Sequence, residues 1–98
     1  MKLKFNLTVE QAKFAVWFET EMPYLLQLFD FHEAAYINDM VDRYLATASH
    51  SQTIMARFAL GVWRHDNHYN FDFVMATRIL DEKDIQIITK WMTSPFWP

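Results

Sequence analysis

Metal or acid–base chemistry in this 98-residue chain would have to come from four histidines and twelve carboxylates, because cysteine is absent. His65 and His68 flank Asp66 and Asn67 in the run His-Asp-Asn-His. Two imidazoles and a carboxylate are ligand types that zinc accepts. Zinc needs three or four such groups at fixed distance, however, and this spacing matches no established ligand motif. His65, His68 and Asp66 are therefore the nearest approach to a ligand set, and a polar hairpin tip accounts for them as well. Asp30, His32 and Glu33 form a second group. A histidine beside carboxylates can act as a general base in a cleft, but these residue types also cap helices, and a first-turn acid complements the helix dipole. Ser49-His50-Ser51 sets hydroxyls beside an imidazole, yet a catalytic triad is a spatial arrangement rather than a run of neighbours. A single glycine, Gly61, rules out a glycine-rich phosphate loop. No catalytic residue, metal or cofactor is expected, and the chain reads as a non-enzyme.

The aromatic residues carry the stronger signal. They make up 17% of the chain within an apolar fraction of 52%, too much for a disordered segment. A domain of this length buries only about 60–70% of the surface its unfolded chain exposes, so surplus aromatics point to an interface. The aromatics of the first helix, Phe14, Trp17 and Phe18, read as core. Trp63 beside Arg57, and Phe96-Trp97 in a tail between Pro95 and Pro98, read as partner-binding residues. Trp63 with Arg57 and Arg64 would also suit base stacking in a single strand. The net charge of −3 and the scattered basic residues argue against nucleic acid.

The elements that position these groups follow from local patterns. Leu3, Phe5 and Leu7 alternate with polar residues as a short strand. Thr8 with Gln11 is a capping box that opens a helix at Val9, and this helix reaches about Glu21 before Pro23 breaks it. Tyr24 to Phe31 continues as a shorter helical piece. Tyr36, Met40, Val41, Tyr44, Leu45 and Ala48 form an apolar stripe that predicts a helix from His32 to Ala48. Residues 47–53 read as a loop. Residues 54–80 fold on paper as a hairpin around Asp66-Asn67, with Val62–Phe71, Leu60–Phe73, Phe58–Met75 and Ile54–Ile79 opposed on one face and Trp63 on the other. Asp81 caps a final helix with Ile85, Ile88 and Trp91 or Met92 inside.

The expectation is one α+β domain over residues 1–98, of order β-α-α-β-β-α. Its small antiparallel sheet, an N-terminal strand plus the central hairpin, packs against three to four helices, and residues 94–98 form a Pro/aromatic tail. No membrane span or signal peptide is visible, so a reducing, cytoplasmic setting is expected. The corresponding function is a small protein-binding adaptor or inhibitor, with a homodimer through the outer sheet face as one form. Small phage or mobile-element inhibitors of host defence, anti-CRISPR proteins among them, share this size and character, though no motif links them to this chain. The competing classes are a His/Asp metal-dependent or acid–base enzyme and a single-stranded nucleic-acid binder.

Overall fold

Thr8 opens the first helix through a reciprocal pair of bonds. Its hydroxyl accepts from the Gln11 amide, and the Gln11 side chain accepts from the Thr8 amide, each at 3.0 Å. The structure, a computed structural model, describes residues 7–98. The strand expected over residues 3–7 lies outside them except for Leu7, which is not in a strand. Helix α1 (Val9–Glu21) buries Phe14, Ala15 and Phe18. Pro23 then begins a 3-10 helix, Pro23–Leu28, a first position where its fixed φ fits and its missing N–H costs nothing.

The helix expected from Tyr24 to Phe31 stops at Leu28, and the one expected from His32 begins six residues late. Between them a two-stranded antiparallel sheet forms, β1 (Phe29–Asp30) against β2 (Ala35–Tyr36), with Phe29 opposite Tyr36 and Asp30 opposite Ala35. The cause is Asp30. Its Oδ1 accepts from the His32 amide at 3.0 Å and the Glu33 amide at 3.3 Å, which gives the backbone an alternative to helical bonding. Ala34 closes the turn with φ at 51°. Helix α2 (Asn38–Thr47) then buries Val41.

The central hairpin is replaced by two helices. Ser49 caps α3 (His50–Arg64) with the same capping box that Thr8 supplies to α1, each bond here at 3.3 Å. Ile54, Met55, Ala56, Phe58, Ala59, Leu60 and Val62 are all buried. A helix apolar on nearly all sides is a core helix. It also satisfies any even-and-odd pairing drawn on paper, because both parities are apolar, and this is why strand register seemed legible there. Asp72 caps α4 (Phe73–Ile79), accepting from the Met75 amide at 3.0 Å. Asp81 caps α5 (Glu82–Thr93), accepting from the Asp84 amide at 2.9 Å.

Asp66 and Asn67 therefore lie in a loop between helices, not in a hairpin turn. Helix α3 ends at His65 in the left-handed conformation, φ 64°. The amides of His65 and Asp66 both return to the Gly61 carbonyl, at 2.9 and 3.3 Å. A Cβ at Gly61 would stand 3.1 Å from the Asp66 carbonyl oxygen, so the one glycine sits where the chain turns back closest to the helix. Asn67 completes the loop, with Oδ1 accepting from the Phe71 amide at 2.7 Å and Nδ2 donating to the Phe71 carbonyl at 3.2 Å.

The result is a mostly helical α+β domain with one small two-stranded antiparallel sheet among the described residues. Phe14, Phe18, Met22, Leu25, Leu28, Val41, Met55 and Leu60 are its most fully buried side chains. Among the described residues, no helix is long and apolar enough to cross a membrane.

Candidate functional site: an aromatic groove

Helix α4 has only seven residues, too few to roof the C-terminal half of α3. Its first residue, Phe73, follows directly on the Asp72 cap and is 66% exposed. On α5, Ile87 and Ile88 face the core, and Met92, one turn beyond Ile88, emerges past its edge at 61% exposure. Of the two alternatives expected on the inner side, Trp91 is the one that packs against the core. Between these side chains lies a cavity of about 370 Å³, walled by Phe58, Phe71, Phe73, Trp91, Met92 and Trp97. Phe58 forms its floor, with ring centroids 5.5 Å from Phe71 and 5.6 Å from Trp91. Trp97 closes one side, edge-on to Trp91 at 5.0 Å and to His65 at 5.3 Å.

One ion pair marks the polar edge. Arg64 Nε and Nη2 donate to the two Asp66 carboxylate oxygens at 2.9 and 3.0 Å, and Nη1 donates to the Tyr36 hydroxyl at 2.8 Å. The guanidinium, with help from the His68 amide, holds the Asp66 carboxyl below the usual carboxylate range. The same pairing raises the pKa of Arg64. Burial, then its hydrogen bond with Tyr36, lifts the Tyr69 phenol to about 12, so it stays neutral at physiological pH. At this edge the Arg64 and Asp66 charges satisfy each other.

The residues singled out in the sequence are scattered. Asp66 is held by Arg64, and the His68 ring packs edge-on to Tyr69 at 4.9 Å. Among the described residues no group of three His, Cys, Asp or Glu is gathered to hold a metal. Asp30 and Glu33 shape the β1–β2 turn, and Ser49 is a helix cap. Trp63 is not on a sheet face, since it lies on helix α3. It packs into a nest with Phe14, Phe29 and Phe31, at 5.1, 5.3 and 6.1 Å. Arg57 donates instead to the Tyr69 carbonyl, so Trp63, Arg57 and Arg64 do not assemble the stacking patch their order suggested. Beside Arg57 lies a polar cleft of about 220 Å³, whose one acid, Asp72, serves as the α4 cap.

The tail folds back on its own domain. The Phe96 ring lies edge-on to Trp17 at 5.3 Å with the Lys13 ammonium 5.8 Å from its centroid, and the Trp91 indole donates to the Phe96 carbonyl at 3.1 Å. Of the four partner-binding residues expected, only Trp97 lines the groove. Phe73 and Met92 were missed. The signal for Phe73 was an Asp cap immediately before it, and reading residues 71–79 as strand hid that signal. Comparison with family models, curated proteins and solved structures gave no significant match.

Proposed function

We propose that the chain is a non-enzymatic binding module, an adaptor or inhibitor, that grips an apolar segment of another protein in this groove. The observation that carries the reading is the exposure of Phe73, Met92 and Trp97 around one concave, ring-lined cavity. Exposed large apolar groups clustered at a concavity are where monomers bind partners. The Arg64–Asp66 pair, already engaged with itself, favours an uncharged occupant over one that would have to break it. Size favours a short anchor segment over a second copy of the chain. A cavity of about 370 Å³ takes one or two large side chains, whereas a standard protein interface covers roughly 800 Å² per partner.

Panning a random peptide library against the intact protein tests this. Enriched peptides should carry paired aromatic or aliphatic anchors and lose binding to a Phe73→Asp/Met92→Asp variant of unchanged circular dichroism. Peptides that bind the double variant as well as the intact chain would place the interface elsewhere. A concentration-dependent dimer in sedimentation equilibrium, abolished by the same double variant, would identify a second copy as the occupant instead.

A further inference from the structure

We propose that residues 95–98 are a reversible strap that completes the groove, held in place by an apolar occupant and free to detach without one. This rests on the groove being the binding site. The last backbone bond of α5 runs from the Ser94 amide to the Lys90 carbonyl at 3.2 Å. Among the described residues, no backbone–backbone hydrogen bond anchors residues 95–98 beyond it. Pro95 and Pro98 have no N–H to offer. What holds the strap is side chain: Phe96 on Trp17, Lys13 over the Phe96 ring, and the Trp91 indole on the Phe96 carbonyl.

Trp97 is the functional end of the strap. It stands as a wall of the cavity, edge-on to Trp91, while remaining 48% exposed. An occupant lodged against Trp97 gains contact only when the strap is docked. Its binding must therefore stabilise docking, and docking must strengthen its binding, by the same factor. A segment held by a few side-chain contacts opens at a free energy well below that of global unfolding. The strap thus supplies a two-state element whose balance an occupant shifts. Proline at Pro95 restricts the undocked chain and so limits the entropy lost on docking.

Hydrogen exchange at the Trp91 indole reads the strap directly, because its proton is donated to Phe96. In the intact chain its protection factor should be roughly tenfold or more below that of the Leu60 amide in α3. Addition of N-phenyl-1-naphthylamine, a neutral aromatic probe, at ten times its dissociation constant should slow that exchange about tenfold, since opening is suppressed by one plus the ratio of probe to dissociation constant. Equal protection of Trp91 and Leu60 would mean that the strap opens only with the whole fold, and overturns the proposal. Low protection that the saturating probe leaves unchanged also overturns it. Probe affinity separates this failure from that of the groove. Weakening by Phe73→Ala, by Trp97→Ala and by truncation after Ser94 supports both. Weakening by Phe73→Ala alone keeps the groove and removes the strap; no effect of any variant removes both.

Discussion

Two aromatic assemblies share this small domain and differ in one respect. Around Phe14 and Phe18, the rings of Phe29, Phe31 and Trp63 meet at centroid distances of 4.9 to 6.5 Å, and α1, β1 and α3 bury Phe14, Phe18 and Phe29 while Phe31 and Trp63 are half-buried. Around Phe58, the rings of Phe71, Phe73, Trp91 and Trp97 surround an open groove. Residue type does not distinguish the two, because each is built from phenylalanine and tryptophan. What differs is the cover. The nest is roofed by a 13-residue helix and a 15-residue helix, whereas the groove has a loop, a seven-residue helix and a tail held by side chains. Aromatic surplus becomes surface where the neighbouring elements are too short to roof it. Trp17 links the two regions, 5.6 Å from Phe14 in the nest and edge-on at 6.0 Å to Phe58, the floor of the groove.

The sharpest break of this contrast is at Phe18, which has no exposed surface and stacks on Phe14 at 5.1 Å. Phe18→Ala should cost about 3–5 kcal/mol, read as a lowered midpoint in urea unfolding at unchanged slope. A loss below about 1 kcal/mol would mean that the nest is loosely packed and that the two regions do not differ in the way their cover implies.

The next effect in size concerns the groove's thin roof. The Asp72 side chain caps α4, and Phe73 follows it. Asp72→Ala should cost about 1 kcal/mol of stability and should loosen amide protection in α4 before that of α3, as hydrogen exchange would show. Uniform loss of protection in both helices would join α4 to the core unit and remove its separate status.

These same caps show how far the sequence could be read. Thr8 with Gln11, and Asp81 before the final helix, were legible because a cap plus apolar periodicity is a local signal. Pro23 ended α1 where its missing N–H requires. Ser49 with Gln52 repeats the Thr8 box and announced α3 equally well. The expectation of a loop over residues 47–53 passes over it, and the hairpin register looks clean only because nearly every residue from Ile54 to Val62 is apolar. Periodicity does not separate strand from helix in a segment buried on all sides. The Asp30 turn failed for another reason: one carboxylate accepting two amides diverts the chain before helix can propagate, which no stripe of apolar residues from Tyr36 onward reveals. The candidate site was half legible. Trp97 was found through the oddity of a Pro-flanked aromatic tail, whereas Phe73 and Met92 owe their exposure to where short helices end, a tertiary fact.

Phe73→Ala is the complementary substitution to Phe18→Ala. The ring is mostly exposed, so its removal should change stability by no more than about 0.5 kcal/mol, while binding of groove-selected peptides falls severely. A thermal shift as large as that of Phe18→Ala would show that Phe73 is structural, and the distinction between sealed and open aromatics would fail at its most exposed member.

The smallest effect is electrostatic and lies at the groove's edge. Asp66 is held below the normal carboxylate range by Arg64, so the pair stabilises the fold above the unfolded-state pKa of about 3.9. That contribution is lost as pH falls through the lower folded value. Asp84, on α5, has the opposite sign. Burial, reinforced by Asp81, raises its pKa, so its ionisation weighs against the fold as pH rises and its protonation relieves that burden in acid. Because the two oppose each other, whole-protein melting in acid will not isolate the edge. The difference between the intact chain and Asp66→Asn does, since Asp84 is common to both. That difference should favour the intact chain near pH 6 and shrink as pH falls below about 4, where the unfolded chain begins to take up the proton that the folded state still resists. It should also shrink in high salt, because an exposed pair is screened. A difference independent of pH would mean that Asp66 acts through its hydrogen bonds to the His68 amide and the Arg64 guanidinium rather than through charge, and the open region would then owe its edge to loop geometry alone.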